Sequence, residues 1–246
     1  MRLIINADDL GATESQNAAI LELMAARRIT SATVMANGPA FASAVRSTSH
    51  FPECSFGIHL NVSAFEPLTK NPELRALRQA GEQVPNQIRS VPFRAPLVRA
   101  VHEEWRAQIS AARRAGLSIS HIDSHHHVHT LPALFLALKA VQREFGIRKV
   151  RISQNVFPSK KSCLVRTKKS IWNAALRFIY ATRTAGAFCD FLTFFQTANR
   201  CCVRYRTLEA MVHPGSPEPA EEMRTLCRHW RSDIDQPIEL VSYFQL

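Results

Sequence analysis

The chain has 246 residues, 46% of them hydrophobic, with 31 Lys and Arg against 20 Asp and Glu, a formal net charge of +11 and a pI near 9.9. The hydrophobic share is ample for a buried core, and the length fits one large domain or two small ones. The net charge admits an anionic substrate, an anionic membrane surface or nucleic acid as partner. Six cysteines, at 54, 163, 189, 201, 202 and 227, form no C-x-x-C pair and no regular spacing, which argues against a disulfide framework and a thiolate zinc site and reads them as reduced and mostly structural.

In chain order, "RLIIN" at 2–6 reads as a buried strand that runs into "ADDLG" without an apolar run of signal-peptide length. With no stretch of about 18 uncharged apolar residues anywhere, the expected location is the cytoplasm. A helix over 14–28 with Thr13 or Ser15 near its cap, a strand over 31–37 and a helix over 39–50 follow. "SFGIHLNV" is a third strand, a Pro-containing loop covers about 66–96, a long helix spans 97–116, and "SISHIDSH" is a fourth strand. A helix over 131–146 and a strand over 147–153 continue the alternation, and "LEAMVHPG" at 208–215 reads as one more strand and its turn. Strands separated by single helices predict βαβ units, a parallel sheet and, at this length, a single-domain distorted (β/α) barrel over 1–246.

Functional side chains of such a fold collect at the carboxyl ends of the strands. Those ends carry Asn6, Asp8 and Asp9, then His59 and Asn61, then "HIDSHHHVH" at 121–129, then Arg151, then His213. Alternation along an extended strand puts His121, Asp123, His125, His127 and His129 on one side and His126 on the other. Half of the ten histidines stand at this one strand end, which points to a metal. One carboxylate of the "ADD" pair can join two imidazoles on a divalent cation while its neighbour stays off the ion to take a proton from bound water.

"INADDLG", "GIHLN", "HIDSHHHVH" and "VHPG", in this order and at strand ends, resemble the signature stretches of the YdjC-like carbohydrate deacetylases, which include chitooligosaccharide deacetylases and a branch associated with hopanoid biosynthesis. The resemblance covers about 1–152 and resumes near His213; Leu10 stands where the family usually has Phe, and the C-terminal end does not align. It implies removal of an acetyl group from an N-acetylated sugar with one divalent ion, Mg or Zn, held by Asp9, His59 and His125. It further implies Asp8 as base, His213 as acid or oxyanion stabiliser, and Asn61, Asp123, His127, His129 and Arg151 as substrate-binding or supporting groups. Two alternatives stand beside it. A metal-dependent phosphoesterase would want a second ion and more acids than the strand ends offer. A nucleic-acid-binding protein is prompted by the pI, but the basic segment lacks a recognition motif, so no nucleic acid is expected. The sequence leaves a homodimer open.

Between Glu144 and Asp190 the chain holds ten Lys and Arg and no acid. This falls largely in a segment at about 153–205 that reads as a basic amphipathic insertion. In "KSIWNAALRFIYATR", Lys169, Asn173 and Arg177 share one helical stripe and Ile171, Ala175 and Ile179 the other. The ordinary expectation is that the apolar side packs on the barrel. The other reading is that the helix meets an anionic membrane, where a lipid-linked sugar would be delivered at the inner face.

Overall fold

A computed structural model describes residues 1–78, 95–159, 161–200, 202–216 and 220–246. Its centre is β1 (Arg2–Leu10), flanked by β2 (Ser31–Val34) and β6 (Thr207–Val212). The seven-stranded sheet continues outward to β3 (Ser55–Leu60) and β4 (Ile119–Ser124) on one side and β5 (Ala187–Asp190) on the other, while the short β7 (Glu239–Leu240) pairs with the start of β1. Every pairing is parallel. Leu3, Ile5 and Ala7 of β1 are fully buried, as a strand covered on both faces requires, and each large apolar side chain contributes about 1.5–3 kcal/mol by leaving water.

The edges β4 and β5 are joined through the segment around 148–155, which curls the sheet into a distorted (β/α) barrel. Ile122 N donates to Lys149 O (2.9 Å) and Arg151 N to Ile122 O (3.0 Å) on one side. On the other, Arg183 N donates to Arg148 O (2.8 Å) and Asn155 N to Phe188 O (3.2 Å). The strand predicted over 147–153 is thereby reduced to isolated bridges at Lys149 and Val150, because the segment divides its few bonds between two edges.

The helices are α1 (Glu14–Ala25), α2 (Phe41–Thr48), α3 (Pro72–Arg78), α4 (Ala95–Arg114), α5 (Phe135–Phe145), α6 (Cys163–Phe178), α7 (Phe191–Arg200) and α8 (Ala220–Cys227). Thr13 caps α1, accepting from Gln16 N at 3.1 Å. The predicted loop at 66–96 contains α3, and its part at 79–94 lies outside the described residues. Two polar side chains on the buried face of α4 organise the loop after β3. Glu104 accepts from Leu68 N and Thr69 N, and Gln108 both accepts from Asn61 N (2.9 Å) and donates to Asn61 O (2.6 Å).

A one-turn helix, Tyr243–Gln245, closes the amino-terminal end of the barrel. Tyr243 N donates to Ser55 Oγ (2.9 Å), and its ring stacks on His121 at 3.5 Å between centroids. The opposite face of His121 lies on Gly57, where any β-carbon would stand 2.5 Å from the imidazole. His121 is therefore a buried packing residue; burial pushes its pKa down to about 3 and keeps it neutral. Of the cysteines, Cys54 and Cys189 are buried but Cys163, Cys202 and Cys227 are exposed, so the expectation of mostly structural thiols fails among the described residues.

Candidate metal centre and active site

At the carboxyl end of the barrel, β1 breaks its register between Ala7 and Leu10, and Asp9 adopts φ 66°. This bulge turns two adjacent acids toward different partners, where an unbroken strand would simply alternate them. Asp8 points inward to Arg151, and Asp9 points to the mouth. Asp9 Oδ1 lies 3.2 Å from His59 Nε2 at the end of β3 and 3.0 Å from His125 Nδ1 just past β4. Ligand atoms of these three residues lie within 4.8 Å of one another.

Each donor is held from behind. His59 Nδ1 meets Asp123 Oδ1 at 2.7 Å, which leaves Nε2 facing Asp9 and fixes the ring plane, and Thr33 Oγ1 donates to Asp123 Oδ2 at 3.0 Å. Burial alone would depress the His59 pKa, but contact with Asp123, followed by Asp9 and Asp8, pushes it up to about 10. The Asp9 carboxyl lies well below the usual carboxylate range: burial raises it, and the bonds from His125 and His59 overcome that. The carboxylates that draw positive charge to this ring would favour a cation between Asp9, His59 and His125 in the same way. Two imidazoles and one carboxylate form a donor set that fits a divalent transition ion.

Beneath them, Arg151 is fully buried. It donates Nη1 and Nη2 to the two oxygens of Asp8 (2.6 Å each), Nη1 also lies 2.8 Å from Asp123, and Nε reaches Glu209 Oε1 at 2.7 Å. One guanidinium thus serves three carboxyl groups, of which Asp8 and Asp123 also act on His59. Burial raises the Glu209 pKa to about 7 against the pull of Arg151, and the Tyr243 hydroxyl donates to its other oxygen. Asn6 Nδ2 completes the setting of Asp8 at 2.8 Å.

A cavity of about 380 Å³ opens over this layer, lined by Asp8, Asp9, His59, His125, His126, His127, Met211 and His213. His213 follows β6, and its N–H donates to Glu222 of α8 at 2.8 Å. Burial raises the Glu222 pKa to about 7.

The histidine run does not keep the expected alternation. Extended structure stops at Ser124, and His126 and His127 take φ 52° and 54° in a 3-10 turn. Only His125 reaches Asp9. His129 turns back into the barrel, where its Nδ1 pairs with Ser124 Oγ (2.6 Å) and its Nε2 meets Arg151 O (3.0 Å). His127 stays on the cavity wall, edge-on to Phe188 at 5.4 Å. Asn61 faces its own loop, donating to Ala64 O (2.6 Å), and neither it nor Arg151 lines the cavity. The structure therefore brings Asp8, Asp9, His59, His125, His127 and His213 together, with Asp123 behind His59 and Arg151 behind Asp8. Sequence reasoning missed Thr33, Glu209, Glu222 and Tyr243; the one signal was a lone acid in the apolar strand "TLEAMV".

Comparison with known proteins bears on the family and the fold. The family model described as YdjC-like protein matches residues 2–236. A carbohydrate deacetylase of Vibrio vulnificus (strain YJ016) is 35% identical over 60% of this chain and 57% of its own length, and one of Halalkalibacterium halodurans is 29% identical over 60% and 62%. The matched part thus spans about three fifths of those curated relatives. A chitooligosaccharide deacetylase of Klebsiella pneumoniae (strain 342) is 30% identical over 86% of this chain and 81% of its own. The crystal structure of the Enterococcus faecalis V583 protein EF3048 superposes with a TM-score of 0.74 at 22% identity, covering 99% of this chain and 98% of that one, and so shares the fold.

Proposed function

This chain belongs to the YdjC-like family, and from that premise we propose that it is a metal-dependent carbohydrate deacetylase, hydrolysing the acetamide of an N-acetylated sugar to a free amine and acetate. The observation that carries the reading is the convergence of Asp9, His59 and His125 on one small volume with Asp8 and His213 on the wall of the same cavity. Asp9, His59 and His125 would hold one divalent ion, and when bound it supplies Lewis-acid polarisation of a carbonyl and a water acidic enough to be deprotonated near neutral pH. Two imidazoles favour zinc over magnesium.

Asp8 takes the proton of the attacking water. Its Arg151 fork and Asn6 contact fix the carboxylate's orientation, so no reorganisation is needed when the proton moves. His213 protonates the departing amine or steadies the oxyanion, its backbone anchored by Glu222. His127 shapes the wall that meets the sugar. Asp123, Arg151, His129 and Asn61 act through their neighbours. In this reading residues 1–246 are one domain, in which the 153–205 segment supplies β5 to the sheet and α6 to the flank. The sugar is an oligosaccharide or a lipid-linked glycan.

The two-metal phosphoesterase loses ground at Arg151, which occupies the space between Asp8 and Asp123 that a second ion would need. The test incubates the zinc-loaded full chain with chitooligosaccharides and follows acetate release and the mass of the product. Loss of one acetyl group, abolished by chelation and restored by zinc, is expected. Hydrolysis of phosphate esters with the acetamides untouched overturns the reading.

A further inference from the structure

Helix α6 carries its two faces the wrong way round for a helix packed on a barrel. Leu164, Ile171 and Phe178 fall seven residues apart, so they form one stripe, and they are 64%, 64% and 85% exposed. Ile179 just beyond is exposed as well. The helix is attached by a narrow line on its other side: Asn173 exchanges two hydrogen bonds with the Ser153 backbone (3.0 and 3.1 Å), Leu176 is fully buried, and Trp172 packs edge-on against Phe135 at 5.1 Å.

The basic residues stand beside and behind the stripe. Arg166, Lys169 and Arg177 line a cavity of about 580 Å³ together with Lys161, and no carboxylate lines it among the described residues. Arg177 is held by a neutral acceptor: its Nε donates to Thr184 Oγ1 (2.7 Å). Such a bond orients a cation without cancelling its charge. Lys168 lies exposed on the outer side. An exposed apolar stripe flanked by cations, in a stretch of sequence without an acid between Glu144 and Asp190, matches the interface of an anionic bilayer, where side chains like Phe178 enter the acyl boundary and Lys and Arg stay among the phosphates. A second copy of this chain would set one acid-free segment against another, and like charges oppose that pairing.

We propose that α6 is a membrane-docking face that holds this protein on anionic lipid. The inference rests on the flank alone and not on the deacetylation reading. The experiment is co-sedimentation of the full chain with vesicles of phosphatidylcholine alone and of phosphatidylcholine with phosphatidylglycerol, at low and physiological ionic strength. Binding is expected only to the anionic vesicles and is weakened by salt. At about fivefold per cation, the triple variant Lys161→Gln, Arg166→Gln, Lys168→Gln should bind about a hundredfold more weakly. Ile171→Ser with Phe178→Ser should lose at least about tenfold, and since both positions are exposed the variants fold, as an unchanged melting temperature will show. Deacetylation of a soluble chitooligosaccharide is read in parallel, so that a wild-type protein that turns over this sugar but does not bind anionic vesicles removes this inference only. The proposal is overturned if the wild-type protein stays in solution with anionic vesicles at low salt. It is equally overturned if both sets of variants sediment like wild type, or if the serine variants instead split a dimer that shows no lipid binding.

Discussion

Arg151 and Arg177 are both held by hydrogen bonds, yet they leave opposite fields around them. In the barrel interior Arg151 is shared by Asp8, Asp123 and Glu209, so three carboxyl groups surround one guanidinium. On the flank, Arg177 and Lys139 bond to hydroxyls, carbonyls and an amide: Thr184 and Ala185 O, and Gln142, Leu176 O and Thr182. Acceptor type decides the outcome. Carboxylates in excess make the interior a place for a cation, and neutral acceptors make the flank a place for anions.

The largest expected effect tests the interior at its catalytic end. Asp8→Asn should keep the metal, measured by elemental analysis of the purified chain, while turnover falls by about 10²–10⁴-fold, the usual share of a general base. Asp9→Asn should lose the metal itself, and equal metal content in both variants would break the division of labour read from the β1 bulge.

Next comes a direct contrast of the two environments. Arg151→Met leaves three buried carboxylates without their counter-ion and should cost about 3–5 kcal/mol by urea denaturation. Arg166→Met on the exposed flank should stay within about 0.5 kcal/mol. Similar costs at both positions would erase the comparison. Asp123→Asn sharpens it further, because it releases His59 from behind without touching a donor; metal affinity should fall by about 10–100-fold in a competition titration with a chelating dye.

The smallest effect is a pH dependence on the flank. Burial lowers the Lys139 pKa from the ordinary 10.5 to about 8, so the unfolded chain binds this proton over a range where the folded chain does not. Stability carried by this group therefore rises as pH climbs from about 8 to 10.5, and folding bears the cost of burying the charge below about 8. Lys139→Met should flatten that slope. Urea midpoints taken at both ends of the window decide it; an unchanged slope in the variant removes Lys139 as its source.

The contrast also explains what could be read in advance. The alternation of strands and helices through the first 152 residues was legible from periodicity, and so was the gathering of acids and histidines at strand ends; the choice of Asp9, His59 and His125 as candidate metal donors came from the resemblance to the YdjC-like family. The interior layer was not legible, because its members meet across long stretches of chain, as Arg151 does with Asp8, and only folding shows that they share one level. The backward turn of His129 follows from two positive φ angles that nothing in "HHHVH" announces. For α6 the periodicity separated two faces correctly, but a pattern of faces does not say which one looks inward. The buried attachment runs through Asn173 and Leu176 and leaves the apolar stripe outside.

Tyr243 has a consequence in time as well as in space. It follows Glu209 by 34 residues, so a growing chain has made every strand of the main sheet before the hydroxyl that steadies Glu209 exists. Until then a buried carboxylate, stacked behind the arginine that orients Asp8, has only one partner. A polypeptide clipped short of this tyrosine would carry every candidate metal donor and still lack the hydroxyl that meets Glu209, so a turn at the amino-terminal end of the barrel bears on the layer beneath the cavity at the opposite end.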